Sequence, residues 1–143
     1  MRHRHTVTAI AITALALTAC SSNDEPDRLT AEEVAAELAD ATGVVDLGDQ
    51  TDNTKLCSNE AAGKEPHKND CVQLIATYTV SIYEYETPAV AANWVKEMKK
   101  VGSDWRQVDR FALAWTSQEQ KNTSDQRRTE LVAALEKLTA SED

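Results

Sequence analysis

The sequence predicts an α+β domain: a small antiparallel β-sheet with about three helices packed on one face, in the order α-β-β-α-β-α. Three observations carry this. Thr30 and Glu33 form a capping box ahead of an apolar-periodic run. Residues 72–86 and 105–116 are dense in β-branched and aromatic side chains. Between them, Thr87-Pro88 reads as a cap with proline at the first helical position.

In the first element, Leu29 and Val34 flank the cap as a hydrophobic staple. Val34, Leu38 and Ala41 share a face and Gly43 is the stop, giving a helix over 31–41. Residues 44–70 are weakly periodic and rich in Gly, Asp, Asn and Lys; 44–47 is read as a short strand and the rest as loop. Within that loop, Asn53, Lys55, Asn59, Glu60, Lys64 and His67 form no recognisable constellation.

Residues 72–86 are long for one strand, so the sequence allows a bend or a tight turn near Ala76-Thr77. Alternation puts Val80, Ile82 and Glu84 on one face and Ser81, Tyr83 and Tyr85 on the other. Ala91, Trp94, Val95, Met98 and Val101 then mark the buried stripe of a helix that ends before Gly102. Residues 105–116 read as one further strand bent near Arg110, with Phe111, Leu113 and Trp115 on a common face. A polar run, 117–124, leads to a last helix over about 125–139, whose stripe is Leu131, Val132, Leu135 and Leu138. The domain spans 30–140, and 141–143 is a frayed tail.

The amino terminus carries a different kind of signal. Arg2 and Arg4 precede an uncharged apolar stretch, residues 7–17, which is well short of the roughly 20 residues a membrane-spanning helix needs. It ends in Leu17-Thr18-Ala19-Cys20. This string resembles the lipobox of bacterial lipoproteins. The resemblance implies that lipoprotein-processing enzymes attach diacylglycerol (palmitate-type acyl chains) to the Cys20 sulfur and cut between Ala19 and Cys20. Residues 1–19 are then a removed signal peptide, and 20–29 a lipidated cysteine with a polar tether. The expected location is the cell membrane, lipid-anchored on its extracytoplasmic face. Two acyl chains hold where one is marginal, at about 0.8 kcal/mol per buried methylene. In its alanine-rich signal, acidic mature chain and Thr-Pro-capped helix after a Tyr-rich strand, the chain is similar in style to small lipoproteins of high-GC Gram-positive bacteria.

Composition follows from that reading. Cleavage removes two arginines and no acid, so the charge moves from −9 to −11, which argues against a nucleic-acid partner. Three cysteines are an odd count for an exported chain. With Cys20 lipidated, Cys57 and Cys71 remain, and outside the cytoplasm such a pair defaults to a disulfide. The rival reading, a metal held by Cys57, Cys71 and His67, lacks a ligand spacing to support it. No metal or dissociable cofactor is expected, only the covalent lipid.

No GxSxG, HExxH, CxxC or phosphate-cradling glycine loop occurs. Glu84 and Glu86 are two apart on a strand, the one carboxylate pair with a spacing of interest. Tyr83 and Tyr85 share a face, as a sugar-stacking surface would require. The sequence is therefore read as that of a non-enzymatic binding or accessory protein of the cell envelope, meeting an envelope protein or a small ligand. The alternatives are a ligand- or glycan-sensing module and a prophage-borne envelope lipoprotein acting in superinfection exclusion.

Overall fold

A computed structural model describes residues 28–141. The elements are α1 (Ala31–Ala41), β1 (Thr51–Asp52), β2 (Cys71–Ala76), β3 (Ser81–Tyr85), α2 (Pro88–Met98), β4 (Asp104–Val108), β5 (Phe111–Trp115), α3 (Gln118–Lys121) and α4 (Asp125–Thr139). The strands make one antiparallel sheet in the order β1-β2-β3-β5-β4. The α+β class and the two long terminal helices stand as the sequence predicts.

The helices cover both faces of the sheet, not one. The large side chains of β5, Phe111, Leu113 and Trp115, meet Val34 and Leu38 of α1 and Leu131 and Leu135 of α4. Its alternate residues, Ala112 and Ala114, turn to the opposite face with Leu74, Tyr85 and Trp105. There α2 packs through Ala91 and Val95, where small alanines on β5 leave room for it.

Other local expectations give way for identifiable reasons. Residues 105–116 are a hairpin, not one bent strand, because Asp109 adopts a left-handed φ of 49° and closes a two-residue turn. Residues 72–86, by contrast, divide at the turn the sequence allows, into β2 and β3 around Thr77, whose hydroxyl accepts from the backbone N–H of Thr79 and Val80. Residues 44–47 are not a strand. Asp46 accepts from the Gly48 N–H in an Asx turn, leaving Val45 99% exposed while Leu47 alone is buried. Val101 leaves the α2 stripe because the chain tightens to a 3-10 turn over Lys99–Val101, and it is exposed. Inside 117–124 the sequence folds α3, whose Gln120 is a buried amide satisfied on both ends. It donates to the Thr77 carbonyl and Ser81 hydroxyl and accepts from the Thr116 and Ser117 N–H groups.

The ends of α1 are closed tightly. At its carboxyl end Gly43 (φ 73°) completes a Schellman motif, with Val44 N–H donating to the Ala39 carbonyl and Gly43 N–H to that of Asp40. At its amino end the capping box is present, and two further first-turn donors reach the sheet. Ala31 N–H donates to Glu84 Oε2 at 3.0 Å, and Glu32 N–H to Gln73 Oε1 at 3.0 Å. Glu84 is itself buried and paired with Arg110 at 2.7 Å. Arg110 also donates to the Leu29 carbonyl and lies over the Phe111 ring, 4.5 Å from its centroid.

Candidate functional site

The longest irregular segment is drawn into a closed loop by the Cys57–Cys71 disulfide, with Cα atoms 5.5 Å apart. It is built by local polar contacts, because it has little apolar surface to bury. Asp52 accepts from Thr54 N–H at 2.8 Å, and the Thr54 hydroxyl accepts from Leu74 N–H at 3.1 Å, fixing the approach to β2. Cys71 N–H donates to the Cys57 carbonyl at 3.1 Å beside the bridge. Across the loop, the Asp70 carboxylate accepts from Asn59 N–H at 2.9 Å and His67 N–H at 3.0 Å. His67 Nδ1 accepts from Asn69 N–H at 3.2 Å, which leaves Nε2 as the imidazole's donor.

The Asp70 carboxyl is held below the usual carboxylate range, first by the His67 backbone N–H, against an opposing effect of burial that exceeds the further lowering by the Asn59 N–H. A lowered folded value means the bond stabilises the loop above the ordinary carboxylate range, about pH 4, and is lost as pH falls through the folded value. The expected result is a lower protection factor, intrinsic rates being corrected for, at the Asn59 and His67 amides once the pH has fallen through that folded value. Asp70→Asn should produce the same change at neutral pH; unaltered protection of His67 in that variant would remove Asp70 from this role.

Between this loop and α2 lies a cavity of about 320 Å³. Its walls include Cys57, Asp70 and the indole of Trp94, with Lys55, Asn59, Lys64, His67 and Asn69 around them. Four residues that looked unrelated in the sequence, Lys55, Asn59, Lys64 and His67, are thereby brought together. Two further open grooves adjoin the loop. One of about 640 Å³ runs along Thr30, Thr54 and Val72, and one of about 610 Å³ lies between the loop and Glu86. Val72 reaches both because a β-bulge between Cys71 and Gln73 throws it out of register.

Beneath α2 the aromatic rings form a connected layer. Tyr83 and Trp105 lie 4.8 Å apart between centroids, Tyr83 and Tyr85 6.3 Å with planes 6° apart, and Tyr85 and Trp94 6.3 Å. The sequence reading of Tyr83 and Tyr85 as an open stacking surface is corrected here. Tyr85 is fully buried and Tyr83 half-buried, because α2 covers that face of β3. Burial raises both phenols above their ordinary range, and for Tyr85 the neighbouring Tyr83 adds to it. The ring that does reach a cavity is Trp94, which helical periodicity had assigned to the core stripe. Among the described residues, four buried side-chain polar atoms have no hydrogen-bond partner: Tyr85 Oη and the indole nitrogens of Trp94, Trp105 and Trp115.

Glu84 and Glu86 part company. Glu84 has one oxygen on Arg110 and the other on the Ala31 N–H, while Glu86 is exposed, 3.8 Å from Arg28. Ala19 and Cys20 lie outside the described residues. Among those residues no group of three or more His, Cys, Asp or Glu side chains could hold a metal ion. No helix among them is long and apolar enough to cross a membrane. Comparison of the chain with protein-family models, curated proteins and solved structures returns no match.

Proposed function

We propose that this chain is an extracytoplasmic lipoprotein, fastened to the cell membrane through diacylglycerol on Cys20, whose α+β domain is a non-enzymatic binding or accessory module of the envelope. The observation that carries the reading is the Cys57–Cys71 bridge. It accounts for two of the three cysteines, belongs in an oxidising compartment, and leaves Cys20 as the odd thiol at the lipobox. The mature chain's charge of −11 keeps nucleic acid off the list of partners. The second reading, a ligand-binding module, draws on the cavity beside Trp94, where donors from a loop and a helix converge.

The anchor is tested by intact-mass measurement on protein purified from membranes in detergent. The expected species starts at Cys20 and carries two acyl chains. Cys20→Ser should leave the precursor uncut by the lipoprotein pathway and without lipid. An unmodified chain starting elsewhere, or lipid retained by the Ser variant, would sink the assignment.

A further inference from the structure

We infer that the cavity between the disulfide-closed loop and α2 is a binding site for a small anion with a ring body, an acidic monosaccharide being the simplest member of the class. The inference rests on reading the domain as a binding module and does not depend on the lipid anchor.

The chemistry of the walls is one-sided. Lys55 and Lys64 bring ammonium donors, His67 an imidazole N–H, and Asn59 and Asn69 side-chain amides. The one carboxylate lining the cavity, Asp70, has its Oδ2 engaged by two backbone N–H groups, and its single negative charge is outnumbered by the two ammonium groups. A donor-rich cavity selects a ligand rich in acceptors, and ammonium groups favour one that is charged.

The remaining wall is aromatic. Trp94 is half-buried and lines the cavity, and its indole nitrogen is buried with no partner. The indole also offers a flat apolar surface against which a sugar ring packs. Charge at the loop, amides around it and an aromatic ring together describe a sugar carrying a carboxylate or phosphate. The volume of about 320 Å³ is at the small end of ligand sites and suits a compound of that size.

The disulfide gives the site its dependence on the loop. Cys57 lines the cavity and Cys71 packs in the layer that holds Tyr85 and Trp105, so the bridge joins the loop wall to the aromatic layer.

The test uses the mature lipidated chain in detergent micelles, labelled with ¹⁵N and observed through its three tryptophan indole N–H signals. Trp94→Phe keeps a ring and identifies the Trp94 signal by its disappearance. Glucuronate, glucose 6-phosphate, glucose and inorganic phosphate are titrated in turn. Shifts of the Trp94 signal with glucuronate or glucose 6-phosphate, and not with glucose, are the expected result; which of the two binds tells a carboxylate from a phosphate site. Lys64→Gln, read at the Trp94 signal, and Trp94→Phe, read at the backbone amides of residues 57–70, should each weaken binding about tenfold, the amide fingerprint of the sheet staying unchanged. Equal response to glucose removes the anion, and equal response to inorganic phosphate removes the ring. No response of the Trp94 signal to any probe, or binding undiminished in both variants, overturns the site while leaving the anchor result as it stands.

Discussion

Arg110→Met should be the most damaging single substitution on the sheet, lowering stability by about 3–5 kcal/mol. Its guanidinium is 2.7 Å from Glu84 in a pair whose side chains are 4% and 9% exposed. Removing the cation leaves the carboxylate desolvated, with only the Ala31 N–H as a partner of those described. The same change withdraws a donor from the Leu29 carbonyl and a cation from above the Phe111 ring. The double variant Glu84→Gln, Arg110→Met should recover part of the loss, since a neutral amide in the same place costs less to bury. Urea midpoints for wild type, both single variants and the double variant form the cycle that checks this. If the double variant loses the sum of the two single losses, the pair is not coupled and its role is packing alone.

Replacing both Cys57 and Cys71 by serine, or reducing the bridge, should lower stability by about 3 kcal/mol, from a separation of 14 residues. The effect is expected to be larger in consequence than in magnitude. The loop between them is held otherwise by exposed and part-buried hydrogen bonds, which contribute little each. The reduced protein should therefore keep its helical and sheet signal while amides 57–70 lose protection. Denaturation with and without reductant, read beside hydrogen exchange, checks both parts. An unchanged midpoint on reduction would show that the bridge constrains nothing that folding uses.

The elements that the sequence made legible were those whose signals are local. Thr30 and Glu33 sit three apart and cap their own helix; the Leu131, Leu135 stripe likewise settles α4 without help from elsewhere. What escaped was decided by residues far apart. Nothing in the neighbourhood of Glu84 says that its oxygens will meet Ala31 and Arg110. The hairpin at Asp109 lacks the glycine that would have signalled it, and β1 is two residues long, too short for any periodicity. The cavity was illegible for the same reason. Lys55, Lys64 and His67 become a group only after the bridge closes the loop, and Trp94 joins them from a different element. Alternation placed Tyr83 and Tyr85 on one face correctly, but no pattern along one strand could reveal that α2 would cover it.

The position of β5 in the sheet has a consequence for how the chain is assembled. It is the last strand in sequence yet lies between β3 and β4, buried at every residue from Phe111 to Trp115. Neither helical layer has its full floor until that segment has arrived. A chain emerging amino end first can close its disulfide as soon as Cys71 is out, but must wait some forty residues more, counted along the sequence, to complete its sheet. Oxidation is thus free to precede cooperative folding, and a truncation ending before residue 111 should yield a chain able to form its bridge but not its sheet.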